Sequence, residues 1–241
     1  MIPLKDDIPT RRTPVITIAL IAINVLVYFI FEHGGLGLGQ FGNERVLDYG
    51  AIPKEITHPG FEVGGGDQPS YIVTIFSSMF LHGSLLHLGG NMLFLWIFGN
   101  NIEDSMNRAL FVVFYILGGL AALGLQVLTD PSSTVPTVGA SGAIAGVLGA
   151  YARLYPRARV VTLIFIVIIF TVVTLPALLV LGLWFLLQLL PAFTSPADVA
   201  GGGGVAYFAH IGGFLFGVLL IKLFANNVRE DYDQAYRIPV Y

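Results

Sequence analysis

Residues 139–152 read GASGAIAGVLGAYA, a stretch with no charged residue in which glycine and alanine predominate. Ser141, Ala145 and Gly149 follow one another at four-residue steps, so they lie on one face of a helix. In a membrane, helices associate through close packing, and small residues on one face let two backbones approach. The stretch therefore predicts a transmembrane helix that packs tightly against a neighbour and carries Ser141 in its first turn.

The composition of the whole chain is typical of a membrane protein. Of its 241 residues 55% are hydrophobic and 11% are charged, whereas a soluble domain has roughly 25% charged residues. The formal net charge of −3 indicates no basic surface, so we expect no nucleic-acid partner. The absence of cysteine excludes a disulfide framework, a thiol nucleophile and a cysteine-ligated zinc site. The lipid bilayer is the first predicted partner.

Six windows without Asp, Glu, Lys or Arg locate the predicted spans, each of which needs about 20 apolar residues. They are residues 13–31, 74–102, 109–129, 131–152, 160–197 and 199–221. In the fifth window Pro176 separates the mostly β-branched residues 160–175, a composition that favours extended structure, from a helical segment at 176–190. We count one crossing in this window and six in all.

The basic residues give the orientation of this topology. With the N-terminus inside, only Arg45 and Lys54 lie outside, which is a strong positive-inside asymmetry. The ten basic residues on the cytoplasmic side are Lys5, Arg11, Arg12, Arg108, Arg153, Arg157, Arg159, Lys222, Arg229 and Arg237. We therefore expect a multi-pass protein of a bacterial cytoplasmic (inner) membrane, with both termini in the cytoplasm.

The predicted organisation has three parts. Residues 1–12 form a cytoplasmic N-terminal segment, residues 13–224 a six-helix domain, and residues 225–241 a polar cytoplasmic tail. Residues 32–73 form an outer loop too long to be only a connector. Gly201–Gly204 are predicted to be a flexible hinge.

Three polar residues on separate spans share one predicted depth. Asn91, Ser141 and His210 each lie twelve residues before the next charged residue of their span. At about 1.5 Å per residue, each is roughly 18 Å above the inner boundary. Polar groups within spans are costly and indicate function, so this common level predicts a buried site.

The chemistry of these side chains indicates a serine nucleophile. A hydroxyl needs a base, and the neutral imidazole of His210 suits that role. His87 lies one helical turn from Asn91. The Asn91 amide, the His87 ring N–H and the Ser141 backbone N–H are candidate donors to an oxyanion. No Asp or Glu lies at this depth, so we predict a Ser–His dyad that uses no metal and no organic cofactor.

Each of these residues also has a structural interpretation. A lone serine in a span commonly bonds to a carbonyl one turn earlier, and a lone histidine can join two helices. We predict a structural role for His82, near the outer end of its span. The residues predicted to pack helices are Gly142, Ala145, Gly149, Gly213 and Gly217.

The combined motifs resemble those of the rhomboid family of intramembrane serine proteases, over approximately residues 13–224. The matching motifs are His82-xxxx-His87-xxx-Asn91, Gly139-Ala140-Ser141-Gly142 and Ala209-His210-xx-Gly213-xxx-Gly217. The resemblance implies that Ser141 is the nucleophile and His210 its base. It also implies that His87, Asn91 and the Ser141 backbone stabilise an oxyanion, and that the first outer loop is partly embedded in the membrane.

Two positions differ from the pattern common in that family. Many members have an aromatic residue one turn after the serine that stacks on the catalytic imidazole, where this chain has Ala145. A Trp-Arg pair is common at the end of the first outer loop, where this chain has Val73 and Thr74.

The sequence thus predicts an all-α membrane protein, a six-transmembrane-helix rhomboid-like bundle with serine endopeptidase activity. Its predicted partners are membrane proteins cleaved in or next to a transmembrane helix. A transporter or channel and an inactive rhomboid-like protein that binds helices are the alternatives. There is no His-Glu-x-x-His zinc motif, and Gly64-Gly65-Gly66-Asp67, which imitates an aspartyl protease motif, lies in the outer loop without a second intramembrane Asp.

Overall fold

The computed structural model describes residues 1–32, 42–63, 68–166, 169–194 and 206–226, and these are mostly helical. In chain order the helices of these ranges are α1 Val15–Leu26, α2 Gly42–Tyr49, α3 Pro53–Thr57, α4 Tyr71–Ser77, α5 Leu85–Phe94, α6 Asn100–Asp104, α7 Arg108–Thr129, α8 Ser141–Leu154, α9 Ala177–Thr194 and α10 Tyr207–Phe224. The strands are β1 Ile2–Asp6, β2 Arg159–Ile166 and β3 Ile169–Pro176.

Three helical segments of the described residues are long and apolar enough to cross a membrane. They are Val15–Glu32, Arg108–Thr129 and Tyr207–Phe224, and the first consists of α1 continued by a π-helical turn. A fourth crossing is possible if the pair Tyr71–Phe80 and Leu85–Asp104, bent by 76° at its break, is one span. α8 has 14 residues and the apolar segment Ala177–Leu187 of α9 is also short, so both fall below the length of about 20 that spans a bilayer.

Glycines bring the backbones of α8 and α10 into direct contact. A Cβ added at Gly213 would overlap the carbonyl oxygen of Gly142, and one at Gly217 would overlap the carbonyl oxygen of Gly146. A Cβ at Gly149 would likewise overlap a carbonyl oxygen of α10. Small residues thus allow an approach that any side chain at these positions would prevent.

A buried carboxylate fixes the start of α1 against the end of α6. Glu103 accepts hydrogen bonds from the backbone N–H groups of Ile16 and Thr17 at 3.0 and 2.8 Å, and from the Thr17 hydroxyl at 2.8 Å. The first N–H groups of a helix have no partner within the helix and carry a partial positive charge, so an acidic group there is stabilising. This contact joins the first long helix to the bent pair.

The prediction of an all-α protein is wrong at one end of the molecule, where the three strands form an antiparallel sheet in the order β1-β2-β3. The β-branched residues 160–175, for which the composition favours extended structure, supply most of β2 and β3. Residues 2–6 of the N-terminal segment pair with β2 as an edge strand. The sheet forms because these apolar residues follow α8 without a helical period, and β2 pairs with β3 along its whole length.

A buried carboxylate also joins the sheet to the helices. Oδ2 of Asp6 accepts hydrogen bonds from the Tyr151 hydroxyl at 2.7 Å and from Nδ2 of Asn101 at 2.6 Å. Asp6 is only 7% exposed, and this burial raises the pKa of its carboxyl group to about 6. The hydrogen bond from Tyr151 opposes that rise. β1 therefore connects α6 to the last turn of α8.

Several predicted features lie outside the described residues. They are the hinge at Gly201–Gly204, the motif at residues 64–67 and most of the polar tail. The part of the first outer loop that is described contains α2 and α3, and Ala51 forms an isolated β-bridge with Thr137 of the connection before α8.

Replacing Gly213 by valine should lower the thermal stability of the purified protein, because the new side chain meets a backbone carbonyl that cannot move aside. Overpacking commonly costs about 1–3 kcal/mol, and contact with backbone places this variant at the upper end or above. Gly124→Val on α7 is the matched control, since a Cβ there meets nothing within 4 Å. Equal melting temperatures for the two variants would contradict the α8–α10 contact.

The carboxyl group of Asp6 should make stability depend on pH. Its pKa in the folded protein, about 6, lies above the ordinary value of 3.8, so folding favours the protonated form. Unfolding free energy should therefore fall as pH rises from about 4 to 6, and Asp6→Asn should remove this part of the dependence. Melting curves across that range test the expectation, with Glu44→Gln, exposed on α2, as control. Parallel pH profiles of Asp6→Asn and the wild type would contradict it.

Candidate active site

Ser141 and His210 meet where α8 and α10 begin. Ser141 is the first residue of α8, as predicted, and His210 lies in the first turn of α10. Nε2 of His210 is 2.7 Å from Oγ of Ser141, a hydrogen-bond distance. His210 is 8% exposed. A serine hydroxyl that donates to an imidazole in a nearly dry environment has the geometry needed for proton transfer.

The packing beneath this pair sets the separation of the two side chains. Gly142 follows Ser141, and Gly213 lies one turn after His210, so the backbone contact between these glycines is directly next to the hydrogen bond. Ala145 is fully buried, and its Cβ would be 3.3 Å from a Cβ at Gly213. Ala145 therefore belongs to the same close contact as Gly213.

The start of α10 is held by α7. The backbone N–H of Ala209 donates to Oε1 of Gln126 at 3.3 Å. This side chain supplies an acceptor for one of the first N–H groups of α10, which have no partner inside the helix. Gln126 was not identified from the sequence. Its signal is a lone amide side chain in the charge-free window 109–129.

The ring of His87 lies against Gly139, a glycine with a left-handed backbone that is also close to Ser141. Gly139 has φ = 123°, which other residues rarely adopt, and its N–H donates to the carbonyl of Ser78 at 2.8 Å. A Cβ at this position would be 2.8 Å from Nε2 of His87 and 3.4 Å from Oγ of Ser141. The imidazole of His87 and the serine hydroxyl therefore border one small volume.

His82 lies in the break between α4 and α5, beside His87. The two rings have centroids 5.0 Å apart and meet edge to face. The backbone N–H of His82 donates to both carboxylate oxygens of Glu32, at 3.1 and 3.2 Å, and its Nδ1 lies 3.2 Å from the carbonyl oxygen of Phe80. Glu32, which is fully buried, thus ties the bend to the end of the first long helix.

Asn91 lies one turn after His87 on α5 and is buried. Among the described residues, its Nδ2 has no hydrogen-bond acceptor. A buried donor without a partner is costly, and it is available to an acceptor that enters the site. This is the property expected of an oxyanion donor.

Trp184 of α9 is a further residue beside the dyad that sequence analysis did not identify. Its ring centroid is 5.8 Å from that of His210, with the planes tilted by 45°, and 6.2 Å from that of Phe94 on α5. The only signal in the sequence is that Trp184 is one of two tryptophans. The aromatic contact of the imidazole comes from α9 instead of from the turn after Ser141.

The described residues contain no group of three His, Cys, Asp or Glu side chains that could hold a metal ion. What the geometry brings together is a hydroxyl, an imidazole hydrogen-bonded to it and a second imidazole. The buried amide of Asn91, without an acceptor among the described residues, lies one helical turn from that second imidazole. These are the groups required for acyl transfer through a serine nucleophile.

Comparisons with known proteins identify the family of the region that contains these residues. The Rhomboid domain model matches residues 69–227, which include His87, Asn91, Ser141 and His210. Rhomboid protein 1, mitochondrial, of Saccharomyces cerevisiae is 32% identical over 61% of this chain and 40% of its own length. Presenilin-associated rhomboid-like protein A, mitochondrial, of Danio rerio is 32% identical over 60% of this chain and 35% of its own length. Rhomboid protease GluP of Bacillus subtilis is 28% identical over 57% of this chain and 24% of its own length.

The chain thus matches less than half the length of each of these relatives. Two of the three are mitochondrial by name, so the predicted bacterial inner membrane is not supported, whereas the long apolar helices support an integral membrane protein. The family model covers well over half of the chain. Together with the serine–histidine contact and the glycine-packed helices, this match confirms the resemblance: the chain belongs to the rhomboid family.

Proposed function

We propose that this protein is an intramembrane serine endopeptidase that hydrolyses peptide bonds in or next to transmembrane helices of membrane-protein substrates. The observation that carries the proposal is the 2.7 Å contact between Oγ of Ser141 and Nε2 of His210, within the region matched by the family model. One relative in the same comparison is named a rhomboid protease. No metal or organic cofactor is needed for this chemistry.

In the proposed mechanism, Oγ of Ser141 bonds to the scissile carbonyl carbon while its proton passes to Nε2 of His210. The carbonyl oxygen becomes an oxyanion that accepts hydrogen bonds from Nδ2 of Asn91, the His87 ring and the Ser141 backbone N–H. The C–N bond then breaks, and the proton on His210 moves to the leaving amine. Water repeats the sequence on the acyl-enzyme: His210 takes its proton, its oxygen bonds to the carbonyl carbon, and the proton returns to Oγ as the ester bond breaks.

Contacts around His210 support its role as the base. The ring lies against Trp184, and the helix that carries it is held by Gln126 and by the contact at Gly213. These contacts restrict the imidazole to the orientation in which Nε2 meets the hydroxyl. Catalysis depends on such positioning, because about 1 Å of misplacement can cost 10²-fold in rate.

The proposal includes the finer topology predicted from sequence. Six crossings with cytoplasmic termini place Ser141 nearer the outer face, beside a first outer loop that is partly embedded in the membrane. A helical substrate must unwind before Ser141 reaches its carbonyl, because helical carbonyls are already hydrogen-bonded. We therefore expect substrates with helix-breaking glycine or proline and a small residue at the cleaved bond.

Ser141→Ala and His210→Ala should each abolish cleavage of a transmembrane model substrate by purified protein in liposomes, while the melting temperature stays close to that of the wild type. The double variant should be no worse than either single variant, because the two residues act as one unit. Ser133→Ala in the outer connection and the exposed His58→Ala are the controls and should retain activity.

More than trace cleavage by purified Ser141→Ala would exclude the serine mechanism. Full folding and tight substrate binding without any cleavage by the wild type would indicate a helix-binding protein instead of a protease.

Asn91→Ala should lower kcat by about 10²–10³ with little change in KM, since the loss of one oxyanion donor acts in the transition state. Asn91→Asp is the size-matched variant, and it should be at least as slow because a carboxylate repels the oxyanion. His87→Ala should change kcat in the same direction. Single-turnover and steady-state kinetics separate the two parameters, and an effect mainly on KM would make these residues substrate contacts.

A further inference from the structure

One face of the sheet is buried near the start of β2, and the other is an apolar face that no described residue covers. Val160 and Thr162 of β2 are fully buried against the helices. The neighbouring residues point the opposite way, because side chains alternate along a strand. On this opposite face Phe165 is paired with Phe170, and Leu163 with Val172. We call this the outer face of the sheet.

The outer face does not have the composition of a face in contact with water. An antiparallel sheet with one solvated face alternates apolar residues inward with polar residues outward. Here Phe170 is 71% exposed and Val172 is 57% exposed, and Phe165 is also exposed. A contiguous exposed apolar surface marks contact with a membrane or with another protein.

The residues that follow β3 favour the membrane as the partner of the outer face. β3 leads directly into α9, and the surface beyond it carries the exposed side chains of Leu178, Leu179 and Leu183. No charged residue occurs between Val160 and Ala197. The outer face thus continues into the exposed apolar surface of α9 with no charged residue between them.

Polarity along the sheet indicates its depth. The base of the outer face carries Lys5, which pairs with Val161, and Thr174 on the neighbouring strand, whereas the other end carries the two phenylalanines. Arg159 begins β2 at the same base. Basic groups favour the headgroup level of a bilayer with anionic lipids. An open strand edge needs water or headgroups for its backbone N–H and C=O groups, which excludes the centre of the hydrocarbon.

We propose that the β2–β3 hairpin inserts its outer face into the lipid interface on the cytoplasmic side of the predicted topology, with Phe165 and Phe170 in the acyl chains and Lys5 and Arg159 among the headgroups. The partner is the bilayer itself, with anionic headgroups. This inference is independent of the chemistry at Ser141, and it gives the sheet a role as an interfacial anchor. Through Asp6, the anchor is joined to the ends of α6 and α8.

The natural chain has no cysteine, so single cysteines can be labelled without background. Phe170→Cys and Val172→Cys are labelled with a nitroxide and reconstituted in vesicles of phosphatidylcholine and phosphatidylglycerol. Power saturation then compares collisions with oxygen, which partitions into lipid, and with a water-soluble nickel chelate. Leu219→Cys, on the exposed face of α10, is the lipid control, and the exposed Arg108→Cys is the aqueous control.

We expect the labels at residues 170 and 172 to collide with oxygen several-fold more than with the nickel chelate, as at residue 219. Thr174→Cys, at the base, should lie between the two controls. Nickel accessibility at residues 170 and 172 equal to that at residue 108 would place the hairpin in water and overturn the proposal. Low accessibility to both reagents would show that protein covers the outer face, from a second copy or another segment, and would overturn it equally.

Discussion

The backbone contact between Gly213 and Gly142 is the constraint on which the site depends. It sets the distance between α8 and α10, and the serine and the histidine lie immediately beside it. A hydrogen bond between hydroxyl and imidazole tolerates only a few tenths of an ångström in length. In a membrane, where packing holds helices together, a seam of small residues is the direct way to fix that length. Ala145, where an aromatic residue was expected by resemblance, belongs to this seam.

Other contacts hold α5 in position beside the α8–α10 contact. The bend before α5 is tied to the first long helix by Glu32, and the left-handed Gly139 lets His87 approach the serine. Near the opposite ends of α8 and of the helical segment Leu85–Asp104, Asp6 accepts hydrogen bonds from Tyr151 and Asn101. Each of these two residues lies ten positions after a residue of the site, so the helices of the site are joined at both ends. The N-terminal strand is therefore part of the same structural unit.

The spacing of residues along the chain predicts helix contacts, depth in the membrane and extended segments. The four-residue steps of Ser141, Ala145 and Gly149 indicate a close helix contact, and the counting of depth places the serine and histidine at one level. The β-branched run indicates extended structure. Local spacing does not predict which helix or strand each element packs against or pairs with. The pairing of β1 with β2 joins residues about 160 positions apart, and the contact of Trp184 with His210 depends on the rotation of α9, whose leucines surround the helix.

The central claim is that the Ser141 hydroxyl is a nucleophile activated by His210, and a fluorophosphonate reagent tests it most directly. Such a reagent forms a covalent bond with a serine only when a neighbouring base removes the hydroxyl proton. Purified protein in detergent would be treated with the reagent and its peptides mapped by mass spectrometry, with heat-denatured protein as reference. The account predicts one adduct, on Ser141, in the folded protein and none after denaturation. Folded protein without an adduct on Ser141, or with the adduct on another serine, would contradict it.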